Sequence, residues 1–202
     1  MEVIVPYSRR ALTKYLELGV NDPASKEESG LDVVECIESR TSIRSFRPDP
    51  VDDLTLDEAL RVANLAPSAG NLQARDFVVV KNIHTKKALS EAAYNQDFVR
   101  SAPAVIVVCA NLDRIGHYGD RGRTLYCLQD AAAAIQNMML FLYSKGIGSV
   151  WVGAFDERRA AEAVGVPEHI RPVAIVPVGY PATKGIRRPR LPREQIVHRE
   201  KW

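Results

Sequence analysis

Between Thr124 and Lys145, apolar residues recur at Leu125, Leu128, Ala132, Ile135, Met139 and Leu142, the three-four spacing of one helical face. Ala131, Ala133 and Ala134 widen that face, and Lys145-Gly146 makes a good helix end. A helix this broadly apolar belongs at the centre of its fold, nearly buried, and its face is wide enough to meet a second subunit as well. Two short uninterrupted runs rich in Val and Ile, Ala104 to Ala110 and Val173 to Val178, read as buried strands. Phe77 to Lys81 and Ser149 to Val152 read as further strands, and His84 to Tyr94 as a helix; Asp156 caps another helix that stops at Gly165. Two capping boxes, Asp32-Val33-Val34-Glu35 and Thr55-Leu56-Asp57-Glu58, open two more helices. The second of these has Leu56, Leu60, Ala63 and Leu65 on its apolar side and closes at Pro67. Helices and strands alternate, but with loops too irregular for a doubly wound parallel sheet. The pattern alone therefore specifies a sheet flanked by helices on both faces.

At 202 residues, 46% hydrophobic and 26% charged, the chain suits one globular domain. A compact chain of this size buries roughly 70% of its unfolded surface and needs no disulfide or metal staple. Residues 1–31 read as an extension, with a short amphipathic stretch from Ala11 to Leu18 and a polar segment after it; the domain proper is 32–202. Ser8-Arg9-Arg10 resembles a twin-arginine export signal, but Glu17, Asp22, Lys26, Glu27 and Glu28 follow where an apolar region is required. No apolar run approaches the ~18 residues of a membrane helix. Cys36, Cys109 and Cys127 form no C-x-x-C pair, which fits buried free thiols in a reducing cytoplasm. The four histidines are scattered, and no metal site is expected.

Charge is distributed unevenly. From Lys184 to Trp202, seven basic residues face only Glu194 and Glu200, a net of +5 that leaves the rest of the chain mildly acidic, since the whole carries +2. A basic tail on an acidic body suggests that the tail meets an anion. Its centre, Arg187-Arg188-Pro189-Arg190-Leu191-Pro192, lacks the interleaved aromatics and motifs of a nucleic-acid site, and no nucleic-acid partner is expected. Three other segments stand out. Arg40-Thr41-Ser42-Ile43-Arg44 packs two guanidiniums and two hydroxyls into five residues, a set that converges on a phosphate or forms a solvated basic turn. Pro67-Ser68-Ala69-Gly70-Asn71-Leu72-Gln73 combines small residues with two amides, suited to the edge of a flat heterocycle or to an ordinary loop. Gly148-Ser149-Val150-Trp151-Val152-Gly153-Ala154-Phe155 is a strand ending in a turn whose main-chain amides can face a ligand; its plainer reading puts Trp151 in the core. There is no Walker A sequence, no G-x-S-x-G and no G-x-G-x-x-G, so a nicotinamide nucleotide would bind here only transiently.

Taken in order, these segments, with Gln129-Asp130-Ala131-Ala132-Ala133-Ala134-Ile135-Gln136-Asn137 between them, resemble the FMN-dependent nitroreductase family over about Leu31 to Trp202. The resemblance implies an α+β nitroreductase-like fold, a central sheet flanked by helices on both faces. It further implies an intertwined homodimer with the C-terminal arm exchanged and two FMN molecules at the subunit interface. By residue, it places Arg40, Ser42 and Arg44, with Arg188 and Arg190, around the FMN phosphate, ribityl chain and pyrimidine edge. Thr41 departs from members with Arg or His there, leaving the phosphate shell one cation or ring poorer. Pro67, Ser68, Ala69 and Asn71, with Gln73 in the same loop, match the segment that reaches the flavin from the partner chain. Asn95 matches an amide at the ring edge, and Val152 and Gly153 match the turn over the reactive side.

The implied activity is ping-pong hydride transfer from NADH or NADPH through FMN to a nitroaromatic, quinone or similar small acceptor, in the cytoplasm. The flavin carries the chemistry, so no catalytic side chain is assigned. His117, Tyr118 and Tyr126 are candidates to cover the cleft. The alternatives are a reduced-flavin-dependent dehalogenase or flavin-modifying relative, and a non-catalytic flavin-binding dimer.

Overall fold

The computed structural model describes residues 31–202. Residues 1–30 of the extension, with the amphipathic stretch read within them, lie outside the described residues.

Strand β2 (Ala104–Asn111) is buried along its whole length, as the seven-residue apolar run Ala104 to Ala110 requires. It pairs antiparallel with β1 (Arg75–Val80) on one side and with β4 (Ile170–Gly179) on the other, and β3 (Gly148–Ser149) adds to the far edge of β4. Every pairing in this four-stranded sheet is antiparallel. Between the pairs Val108–Ala174 and Cys109–Pro172 the register slips by one residue, a bulge that leaves Val173 without an opposite number.

The period of two along β2 separates two cores. Ala104, Ile106 and Val108 face a cluster built with α2 (Asp53–Asn64) and α5 (Cys127–Ser144), including Leu56, Ala63, Ile135 and Leu142. Val105, Val107 and Cys109 face the other cluster, with Leu89 of α3 (Ile83–Ala92), Val99 of α4 (Asp97–Ser101) and Ala160 of α6 (Glu157–Val164). The sheet is thus flanked by helices on both faces, as the sequence pattern implies. All three cysteines are free and buried, and burial pushes the Cys109 thiol up to about 12.

Several local expectations change. The second capping box does not cap: the carboxylate of Asp52 accepts from the Thr55 N–H at 2.8 Å, so α2 begins at Asp53 and Thr55 lies inside its first turn. Leu65 is exposed beyond its end. The strand read over Ser149 to Val152 shortens to Gly148–Ser149, because Val152 leaves β3 and pairs separately with Ile175. Trp151 is 40% exposed and sits outside the core. The long helix starts regularly only at Cys127, after a π-helical turn from Gly122 to Tyr126. The five-residue α4 was not anticipated. The Asp156 cap and the left-handed Gly165 (φ +66°) stand where the sequence puts them.

Candidate cofactor site

Helix α1 (Val33–Ser39) ends at Arg40, whose N–H still bonds to Cys36 O while its ψ of 130° turns the chain out of the helix. The next residues run beside the sheet edge. Ser42 bridges Ser149 in parallel, Ile43 N donates to Ser149 O at 3.0 Å, Ala182 N donates to Ser45 O at 2.9 Å, and Arg47 N donates to Tyr180 O at 2.8 Å. The segment is therefore zipped between β3 and the start of the basic tail. Ile43 turns inward and is buried against Gly148, so its neighbours Ser42 and Arg44 point the opposite way.

The tail closes over this segment. Gly185 lies so near Thr41 that a Cβ there would overlap the Thr41 hydroxyl, a close approach that only glycine permits. The result is a cavity of about 830 Å³ between α1, Arg40 to Ser45, and Thr183 to Arg190. Six of its lining residues are basic (Arg40, Arg44, Lys184, Arg187, Arg188 and Arg190), and Glu38 is the one acid among them. Arg40 Nη1 is buried with no hydrogen-bond partner. Its guanidinium is held below its ordinary pKa, first by burial and then by the positive charge of Arg190, with Tyr143 acting in the opposite direction. A buried guanidinium donor without a partner, beside another cation, is chemically suited to an anion. Hydroxyls of Thr41, Ser42, Ser45 and Thr183 line the same space. A phosphate carried on a polyhydroxylated chain fits this donor set.

Two further contacts involve expected residues or their neighbours. Arg44 lies over the Phe98 ring of α4 at 5.9 Å. Gln96, just before α4, donates through Nε2 to Ala154 O at 3.3 Å, which sets the turn of Asn95 (φ +60°) against the turn of Gly153. The Val152 N–H is taken by Ile175 O at 2.9 Å and is not free to face a ligand as expected. Pro67, Ser68, Ala69, Asn71 and Gln73 line none of this cavity. They form a separate loop on β1 and α5, with left-handed backbone at Gly70, Asn71 and Gln73. One chain therefore presents two halves of the expected set, apart from one another. Tyr118 covers this loop, standing over Gly70 and edge-on to His117 and Tyr126.

Sequence reasoning missed Ser45, Thr183 and Gly185, which enter the site only through the pairing of 42–47 with 180–185. It also gave no role to Asp130 and Arg75, though a carboxylate inside an alanine-rich apolar helix is itself a signal. Among the described residues, no group of His, Cys, Asp and Glu is placed to hold a metal, and no helix is long and apolar enough to cross a membrane.

The nitroreductase family model matches residues 37–96 and 90–180. An "NADH dehydrogenase" of Thermus thermophilus is 36% identical over 195 residues, covering 83% of this chain and 95% of the relative. An "FMN reductase [NAD(P)H]" of Bacillus subtilis is 26% identical over 185 residues, covering 85% and 74%. Among solved structures, the NADPH:FMN oxidoreductase of Vibrio harveyi complexed with NAD+ superposes with a TM-score of 0.78 at 27% identity, over 84% of this chain and 77% of that one. The chain belongs to the nitroreductase family.

Proposed function

We propose that this chain is an NAD(P)H-dependent flavin oxidoreductase that uses FMN to pass a hydride to a nitroaromatic, quinone or similar small acceptor in ping-pong fashion. The observation that carries the reading is the buried, unpartnered Nη1 of Arg40 facing Arg190 in a basic, hydroxyl-lined cavity. The relatives' names, FMN reductase and NADPH:FMN oxidoreductase among them, support it. Bound FMN supplies the hydride chemistry, which removes the need for a nucleophile or a matched acid–base pair.

The residues of the chain bind and orient. Arg40, Arg188 and Arg190 hold the phosphate, and Ser42 and Thr41 accompany the sugar-alcohol chain. Arg44 serves the pyrimidine edge, where its guanidinium and the Gly153 N–H favour negative charge. Asn95 donates at the ring edge. Pro67, Ser68, Ala69, Asn71 and Gln73 complete the site from a second copy of the chain, which accounts for their separation within one chain. The protein acts as a cytoplasmic homodimer.

Initial rates measured at several fixed acceptor concentrations, with NADH and then NADPH varied, test the reading. Parallel double-reciprocal lines are expected. Converging lines contradict the ping-pong order, and an FMN-loaded protein that oxidises neither nucleotide contradicts the activity.

A further inference from the structure

The loop Pro67 to Gln73 holds an unusual backbone. Gly70, Asn71 and Gln73 all have φ between +52° and +57°, a region uncommon for non-glycine residues and tolerated better by Asn than by Gln. Such a conformation persists where its surroundings over-determine it, and here they do so from beneath. Asp130, 4% exposed on α5, accepts from Ala69 N at 2.9 Å through Oδ1 and from Ala74 N at 3.3 Å through Oδ2, one at each end of the loop. Arg75, 3% exposed, donates through Nη2 to Ala66 O at 2.7 Å and Asn64 O at 2.9 Å, and through Nη1 to Pro67 O at 3.3 Å. The same Nη1 reaches Asp130 O at 3.4 Å, joining the two residues in one buried network.

None of these residues lines the basic cavity, and the chemistry proposed above does not use the network. Two buried charges of opposite sign would be a costly way to hold an ordinary surface loop, because burial penalises each ion and one-sided removal leaves the other uncompensated. All five of their side-chain hydrogen bonds beyond the Arg75–Asp130 contact end on backbone atoms of residues 64–74, so what they fix is the path of that backbone. We propose that Asp130 and Arg75 are positioning residues for FMN: they preset the left-handed loop so that its small residues and amides meet the flavin bound in a second copy without further ordering. The inference rests on the flavin reading and assigns these residues no contact with the cofactor. A preset loop loses little freedom on binding, and its release should appear as weaker affinity.

The test compares the full-length wild type with Asp130→Asn, which keeps shape and one acceptor but replaces the other with a donor. Arg75→Lys is the second variant, since it keeps the charge and loses the fork. Three readouts are taken: FMN dissociation constant by fluorescence titration, thermal midpoint, and amide hydrogen exchange in the flavin-free protein. In Asp130→Asn, exchange at Ala69 and Ala74 should accelerate relative to the β2 amides, and FMN affinity of the folded protein should fall about tenfold. Arg75→Lys should weaken FMN in the same direction, and it carries the test alone if Asp130→Asn does not fold. A lowered midpoint with unchanged FMN affinity and unchanged relative exchange would show a merely structural role and overturn the proposal. Wild-type protein that takes up no FMN would instead overturn the flavin reading and this inference with it, whereas wild-type binding with unaffected variants overturns this inference alone.

Discussion

Arg40 and Arg190 line the same basic cavity closely enough that the positive charge of Arg190 disfavours that of Arg40, and Arg40 keeps one buried donor unpartnered. Neither feature stabilises an empty fold. Like charges brought together by β3–β4 pairing and by the Gly185–Thr41 contact make sense when an anion lies between them.

Replacing Arg188 and Arg190 by Ala should therefore weaken FMN while leaving the flavin-free protein no less stable. A guanidinium–phosphate contact contributes roughly 1.5–3 kcal/mol, so each loss should raise the FMN dissociation constant about tenfold or more. Fluorescence titration at low and high salt measures this. Wild-type affinity should fall with salt, and unchanged affinity in both variants would remove the tail from the site.

Gly70 sits at φ +57°, and a Cβ added there would stand 2.5 Å from Tyr118 Oη. Gly70→Ala should destabilise by about 1–3 kcal/mol through backbone strain and overpacking together. Because the closest atom is a hydroxyl, with the ring carbons at 3.3 Å, Tyr118→Phe in the same chain should recover part of the loss. Urea unfolding of both single variants and the double variant checks this. Strict additivity would mean that Tyr118 does not restrain the loop.

Much of this fold can be read from residue order. Strand β2 declares itself because a strand buried on both faces needs no polar alternation, and α6 because Asp156 and Gly165 act within their own turns. The start of α2 misleads because Asp52 and Thr55 are both good caps three residues apart, and only geometry shows which one faces the free N–H groups. The site divides the same way. Arg40, Ser42 and Arg44 are neighbours in sequence and can be suspected together, but their union with Thr183, Gly185 and Arg190 depends on sheet pairing across more than 130 residues. The anchoring of Ala69 by Asp130 spans 61 positions and leaves no local pattern.

Gly148→Ala should disturb the site from the sheet side. The added methyl group would meet Ile43 Cγ1 at 2.7 Å and its Cβ at 2.9 Å, and Ile43 lies between Ser42 and Arg44. A loss of about 1–3 kcal/mol is expected in urea unfolding, together with weaker FMN binding. Ile43→Val added to Gly148→Ala should relieve part of both effects. Unchanged FMN affinity in the unrelieved variant would show that the basic segment is not held by this contact.

Glu157 is held below its usual carboxylate range chiefly by hydrogen bonds from Arg171, at 2.7 and 2.8 Å. A depressed folded pKa contributes stability above the unfolded value near 4.5, and the contribution is lost as pH falls through the folded value. Both side chains are well exposed, so screening limits the contribution to a few tenths of a kcal/mol. Glu157→Gln should lower the urea midpoint slightly at about pH 7, and the gap to wild type should narrow as the pH is lowered below about 4.5. A gap that widens in acid would contradict the assignment.

The cavity between Arg40 and Arg190 is proposed to hold an FMN that nicotinamide nucleotides reduce. An anaerobic absorbance titration of the FMN-loaded protein with NADH and then NADPH, followed by a quinone or nitroaromatic, tests it most directly. The flavin band should bleach with at least one nucleotide and return when the acceptor is added. Bound flavin that stays oxidised with both nucleotides, or a protein that takes up no FMN, would contradict it.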